Sequence, residues 1–342
     1  MIERPDKMSR LGLGGYPLGG GYGNVSLDQA RATVDAALDR GFTFVDTAET
    51  YLDSEERLGA ILKGRRDRVF LATKAFPSEP YSLDNLRAAL DGSLRRLQTD
   101  RVDLYQLHGP ETWLMDFDRT PPEELADCLT QLRESGKALR IGVCNLPVPE
   151  LDALASRTQL FSTQNLYSLI DRGDEPDRLH LAVESEVIPY AAEHAIAFIA
   201  YSPLSRGLLV GGQDPNRQFP PDDERHYLPR YKSPAFEHYV ALADRLHEWA
   251  LERGRTLTQL AIAWTLQNPA VVSTLIGAKS PEQIDAVAGA DEWALTEAEL
   301  AEIDELLAQL PQVAKDAKMV VWDHFDVSAI DRLIERRYAL SS

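Results

Sequence analysis

Residues 41–51 read Gly41-Phe42-Thr43-Phe44-Val45-Asp46-Thr47-Ala48-Glu49-Thr50-Tyr51. A short apolar strand ends in Asp46 and releases Tyr51 into a loop. The pattern returns twice downstream: Val69-Phe70-Leu71-Ala72-Thr73-Lys74 is an apolar run closed by a lysine, and Val102-Asp103-Leu104-Tyr105-Gln106-Leu107-His108 is one closed by a histidine. If these strands are parallel and adjacent, Asp46, Lys74 and His108 converge at one end of a sheet beside Tyr51. Singly, each has a plain structural reading: Asp46 as a turn residue or cap, Tyr51 as core, Lys74 as surface, His108 as a satisfied core histidine. Placed together at successive strand ends, they favour a site.

The chemistry of such a site is specific. A phenol has an ordinary pKa of about 10, too high for efficient general-acid work at neutral pH, so Tyr51 as a proton donor needs a cation beside it. Lys74 within ~4–6 Å would favour the phenolate, Asp46 would keep a buried Lys74 charged, and His108 could orient a carbonyl.

Between and beyond these strands the apolar period changes from two to about 3.6. Ser26-Leu27-Asp28-Gln29 reads as a capping box, with Leu27, Ala30, Val34, Ala37 and Leu38 on one face before Gly41. A helix opens at Asp53 or Ser54 and runs to about Lys63, Leu83, Leu86, Leu90, Leu94 and Leu97 stripe another, and Thr120-Pro121-Pro122-Glu123 caps a further one that ends at Gly136. Strands are expected at 10–15, 139–145, 161–166, 197–201 and 272–276, and helices near 147–155, 185–194, 233–253, 256–268, 281–289 and 296–309. About eight strand–helix units imply an α/β chain closed as a (β/α)8 TIM barrel over residues 1–309, with 310–342 as a C-terminal extension. In such barrels chemistry sits at the C-terminal ends of the strands, where Asp46, Lys74 and His108 fall.

Three loops stand out. Leu18-Gly19-Gly20-Gly21-Tyr22-Gly23 lacks the Gly-x-Gly-x-x-Gly frame of a dinucleotide fingerprint, and Tyr16 before it is expected to line a pocket. The loop 109–119 holds Trp113, Met115 and Phe117, either a satellite cluster or a substrate-pocket wall. Residues 205–232 form the longest stretch without periodicity and are expected to act as a flap. In the tail, Val320-Val321-Trp322, His324-Phe325 and a helix with Ile330, Leu333, Ile334 and Tyr338 fit either a cover over the barrel mouth or a helix on its exterior.

Composition narrows the function. Thirty-six basic against 54 acidic residues, a net charge of −18, argue against a nucleic-acid surface and anionic membranes, so any phosphate must be held by local cations. Two cysteines, Cys128 and Cys144, give neither a disulfide framework nor metal-ligand spacing, and no metal is expected. No apolar run approaches the ~18 residues of a membrane span and Met1-Ile2-Glu3-Arg4-Pro5-Asp6 has no signal-peptide character, so a cytoplasmic enzyme, monomeric or homo-oligomeric, is expected.

Several further stretches belong with the four strand-end residues: Leu11-Gly12-Leu13-Gly14-Gly15, Ser54-Glu55-Glu56-Arg57-Leu58-Gly59, Gly136-Lys137, Ile141-Gly142-Val143-Cys144-Asn145, Gln164-Asn165-Leu166-Tyr167, Tyr201-Ser202-Pro203-Leu204 and Ile276-Gly277-Ala278-Lys279. With an Asp, a Tyr five residues on, and a later Lys and His, the chain resembles the aldo-keto reductase superfamily over roughly residues 8–309. The resemblance implies reduction of an aldehyde or ketone by hydride from a reduced nicotinamide cofactor, without metal; with Lys279 as the candidate cation for a 2′-phosphate, the cofactor is expected to be NADP, with NADPH preferred as the donor and NAD a second possibility. It makes Tyr51 the proton donor, assisted by Lys74, Asp46 and His108. Asn145 and Gln164 would hold the carboxamide, and Tyr201 would stack on the nicotinamide. Ser202, Leu204 and Arg206 would lie near the pyrophosphate; Gly277, Lys279 and Gln283 would hold the adenosine end, where Ser280 and Gln283 also read as a capping box. Tyr16 and Trp113 would meet the substrate. Two departures are Cys144 for the usual serine and Val287 for the usual asparagine. Competing readings are a regulatory nicotinamide-binding protein of the same fold and a Schiff-base barrel enzyme using Lys74.

Overall fold

Eight short parallel strands, Leu11–Gly14 (β1), Phe44–Asp46 (β2), Phe70–Ala75 (β3), Leu104–Leu107 (β4), Ile141–Cys144 (β5), Ser162–Leu166 (β6), Ala197–Tyr201 (β7) and Val271–Gly277 (β8), pair in chain order, and β8 returns to β1. The structure is a computed structural model describing residues 4–111, 118–173, 181–220 and 223–317. The closed barrel is the (β/α)8 architecture that the alternating pattern implies. Among the described residues no helix is long and apolar enough to cross a membrane.

Strand alternation sorts side chains to the two sides of the wall. Val45, Leu71, Tyr105, Leu107, Val143 and Phe198 join the outer core. Phe44, Phe70, Leu104, Ile199 and Leu275 belong to a separate apolar cluster with Met8 inside the barrel. One inward position further along, the lining turns polar, with Asp46, Lys74, Gln106 and Gln164 all buried. The barrel is thus filled with hydrocarbon below and polar groups at its C-terminal rim.

Helices Leu27–Asp39 (α1), Ser54–Leu62 (α2), Leu83–Leu97 (α3), Pro122–Glu134 (α4), Val148–Ala155 (α5), Ile188–Glu193 (α6), Ala235–Leu251 (α7), Leu257–Gln267 (α8), Pro281–Asp285 (α9), Glu297–Ala308 (α10) and Gln312–Lys315 (α11) follow along the chain. Ser26 Oγ accepts from the Gln29 amide at 3.1 Å, as expected. Full reciprocal boxes form at Thr256 with Gln259 and Thr296 with Glu299. Two expected caps are overridden by other partners. Thr120 gives its amide and hydroxyl to the buried Glu111 carboxylate at 2.9 and 3.0 Å, leaving Pro121 as the N-cap of α4 with Pro122 inside it. Ser280 makes no side-chain cap bond to α9; Gln283 Oε1 accepts from the Lys279 amide at 2.7 Å instead.

The aperiodic 205–232 stretch is more ordered than its composition suggests. It contains short 3-10 segments at Ser205–Val210, Glu224–His226 and Pro229–Tyr231. Its two ends are tied to the β6–α6 loop by Asp171, whose carboxylate accepts from Ser205 Oγ and from Arg230, a residue 2% exposed. Arg230 also lies over the Tyr239 ring at 4.6 Å. At the other end of the chain, α11 packs against α7 with Ala314 buried, so residues 310–317 run along the barrel exterior. The tail motifs from Val320 onward, like Trp113, Met115 and Phe117, lie outside the described residues.

Breaking the Asp171–Arg230 pair strands a buried carboxylate. Arg230→Met should cost about 3–5 kcal/mol of stability, visible as a lowered urea midpoint. A midpoint equal to that of the unmodified chain would show that Asp171 is hydrated when the arginine is gone.

Candidate active site

Four residues from three strand ends and one loop meet at the rim. Lys74, on β3 with no exposed side-chain surface, has three N–H donors and directs them to Asp46 Oδ1 at 2.5 Å, the Thr47 carbonyl at 2.8 Å and the Tyr51 hydroxyl at 3.3 Å. Its ammonium is also 4.7 Å from the centre of the Tyr51 ring. His108, one residue past β4, places Nε2 3.5 Å from the Tyr51 hydroxyl, and its ring meets Tyr51 edge-on at 5.5 Å. The sequence reading predicted this convergence from three separate strand ends.

Burial by itself would drive Lys74 toward its neutral form, but the Asp46 carboxylate and then Tyr51 reverse this, and the ammonium pKa lies above its ordinary value. For Tyr51 the balance falls the other way from the sequence expectation. Burial is the largest effect and pushes the phenol up; Lys74 pulls it down, Asp46 opposes Lys74, and the result is about 12. Lys74 therefore moderates the phenol without bringing it toward neutrality. Burial, reinforced by Lys74, holds His108 well below the ordinary imidazole range, so the ring is neutral.

Asn145 follows β5 with a left-handed φ of 56°. Its Nδ2 donates to the His108 carbonyl at 3.4 Å and its Oδ1 accepts from Tyr201 Oη at 3.1 Å. Gln164 on β6 donates from Nε2 to Asp46 Oδ2 at 3.1 Å. Tyr201 ends β7, and Cys144 is buried with its thiol pushed up by burial. Ser202 and Arg206 have positive φ values of 56° and 51°, and Leu204 packs half-buried on the outer core. Arg206 Nε pairs with Glu224 Oε1 at 2.5 Å, and Lys279 Nζ donates to the Tyr22 carbonyl at 2.9 Å. Gly277 ends β8, where a Cβ would press on Pro17 Cγ at 2.8 Å. Val287 is a buried core residue.

Tyr16 meets Tyr51 edge-on at 5.2 Å and donates to Glu224 Oε2 at 3.3 Å. In the glycine-rich loop a Cβ on Gly19 would overlap the Tyr51 carbonyl oxygen and one on Gly21 the Tyr16 ring, while Gly20 and Gly23 take left-handed φ values of 103° and 94°. Contacts not anticipated from sequence include the Thr47 carbonyl on Lys74, Gln106 on Asp46 and Glu224 on both Tyr16 and Arg206. Gln106 carried a signal, since it lies two residues before His108 and so shares its inward face. Glu224 sits in an aperiodic stretch and carried none.

The family model described as "Aldo/keto reductase family" matches residues 10–308. The chain is 33% identical to Aldo-keto reductase YhdN of Bacillus subtilis (strain 168), over 87% of this chain and 90% of that one. The structure of a glycerol dehydrogenase from Gluconobacter oxydans superimposes with a TM-score of 0.78 at 31% identity, covering 89% of this chain and 92% of that one. An aldo-keto reductase from Klebsiella pneumoniae in complex with NADPH superimposes with a TM-score of 0.70 at 29% identity, covering 92% and 95%.

The neutral state of His108 has a measurable signature. Its Cε1 proton resonance, assigned by loss in His108→Asn, should not move between pH 8 and about 5.5. The unfolded chain takes up a proton near pH ~6.5 and the folded one does not, so this group withdraws stability as pH falls through that value. A resonance titrating with a midpoint near 6.5 would overturn the assignment.

Proposed function

The chain belongs to the aldo/keto reductase family, and we propose that it is an NADP-dependent oxidoreductase reducing a small aldehyde or ketone to an alcohol, with Tyr51 as proton donor. The observation that carries this reading is the Tyr51 hydroxyl held between the Lys74 ammonium at 3.3 Å and His108 Nε2 at 3.5 Å. The NADPH bound in the Klebsiella pneumoniae relative supports the choice of cofactor.

The rim residues fit such a cofactor. Gln164 gives Nε2 to Asp46, which leaves Oε1 to accept from a carboxamide N–H; Asn145 uses Oδ1 for Tyr201 and one N–H for the His108 carbonyl, leaving the other N–H to donate. Tyr201 at the end of β7 offers a ring face for stacking. Arg206, which pairs with Glu224, and Lys279, which donates to the Tyr22 carbonyl, would supply the cations that an acidic chain needs for phosphates, together with Ser202, Leu204, Gly277 and Gln283. When bound, NADPH supplies a hydride to the carbonyl carbon.

The chain's own groups manage the oxygen. A phenol with pKa of about 12 keeps its proton at neutral pH until an alkoxide, a much stronger base, develops beside it. Lys74 then stabilises the phenolate left behind, and Asp46 keeps Lys74 charged. Neutral His108 can donate to the carbonyl oxygen from Nε2 without adding charge. Lys74, with its N–H donors engaged and its ammonium favoured, is poorly placed to be a Schiff-base nucleophile.

Two substitutions test this. Tyr51→Phe should lower NADPH-dependent reduction of a reactive probe such as 4-nitrobenzaldehyde by about 10²–10⁴-fold with NADPH affinity nearly unchanged; near-normal turnover would sink the mechanism. Lys279→Ala should weaken NADPH binding by about ten- to a hundredfold and leave NADH almost unaffected, as expected for one charge-assisted contact to the 2′-phosphate. Fluorescence titration of both nucleotides decides it, and equal losses would place Lys279 elsewhere than at that phosphate.

A further inference from the structure

Asp46 is a buried carboxylate with two oxygens to satisfy. Lys74 serves Oδ1, and two amides serve Oδ2: Gln164 Nε2 at 3.1 Å and Gln106 Nε2 at 3.3 Å. Gln106 lies on β4 with no exposed surface, in register with Lys74 on one side and Gly142 on the other. Its amide has a fixed sense, because Ser162 Oγ on β6 donates to Gln106 Oε1 at 3.3 Å and turns Nε2 toward the carboxylate. Gln106 and Ser162 belong to strands that are not neighbours, and they meet across β5 where that strand carries Gly142. A Cβ on Gly142 would overlap Ser162 Oγ and come within 3.1 Å of Gln106 Cγ. The glycine is what opens the path between them.

We propose that Gln106 is a positioning residue for the reaction: oriented by Ser162 through the gap at Gly142, its amide fixes Asp46 and so fixes the Lys74 ammonium against Tyr51. The proposal rests on the carbonyl-reduction reading. Gln106 touches no reacting atom and acts only through the carboxylate. Burial holds the Asp46 carboxyl above its ordinary range, and Lys74, then hydrogen bonds including those from Gln164 and Gln106, offset only part of that rise. Losing the Gln106 amide therefore raises the pH at which Asp46 takes a proton, and with it the pH at which Lys74 loses its counter-charge.

The test uses the full chain, NADPH and 4-nitrobenzaldehyde, with Gln106→Met as an apolar near-isostere and Ser162→Ala as a milder variant that reorients the same amide. Gln106→Met should lower kcat by about ten- to a hundredfold, the range for one hydrogen bond to a charged group, with KM and NADPH affinity within about threefold. The acid limb of its kcat–pH profile should move to higher pH, and Ser162→Ala should move it the same way by less. In an Asp46→Asn background, Gln106→Met should add almost nothing, since the group it acts through is already neutral. An unchanged kcat and pH profile, or a loss that simply adds to that of Asp46→Asn, overturns the proposal. If Gln106→Met does not fold, the limb shift in Ser162→Ala decides alone, and its absence counts against the proposal. Tyr51→Phe assayed alongside separates the two levels: full activity there overturns the underlying reading, whereas an inactive Tyr51→Phe with a normal Gln106→Met overturns only the role of Gln106.

Discussion

A lysine ammonium with no exposed surface can exist inside a barrel only against a carboxylate, and the Asp46–Lys74 pair is the constraint to which the rest of this interior is fitted. Removing both charges from water costs several kcal/mol per ion, recovered only if every remaining lone pair and proton has a partner. The structure meets that condition with the Thr47 carbonyl and Tyr51 hydroxyl on the lysine and two glutamine amides on the aspartate. Asp46, Lys74 and Gln106 sit one inward position beyond Phe44, Ala72 and Leu104, so the charged layer rests on an apolar floor. Groups held against that floor lose the water that would solvate their charged forms, which is why burial dominates the behaviour of Tyr51 and His108.

Much of this was legible in the chain because strand alternation is a local rule with a global consequence. The apolar runs ending in Asp46, Lys74 and His108 placed three residues on one rim, and the alternation of strands with helical stripes implied closure. What was not legible depended on which of several available partners a side chain takes in the folded chain. Thr120 reads locally as a cap, yet Glu111 competes for it and wins. Ser280 and Gln283 have box spacing, but Gln283 turns to Lys279. The net shift of the Tyr51 phenol depends on how deeply the rim is buried, which no spacing encodes. The aperiodic 205–232 stretch hid its own anchors, since the Asp171–Arg230 pair joins residues separated by a strand and a helix.

The order of the strands has a consequence for how this protein is made. The barrel is sealed by β8 against β1, joining residues 11–14 to residues 274–277. While the chain is still on the ribosome, β1 waits with one edge unpaired until almost the whole barrel has been synthesised, and Lys279, which reaches Tyr22, emerges later still. An unpaired parallel edge is a template for unwanted strand addition. During that interval the nascent barrel exposes the surface that closure later removes, so any brake on translation after β7 prolongs its exposure to aggregation and to chaperone capture.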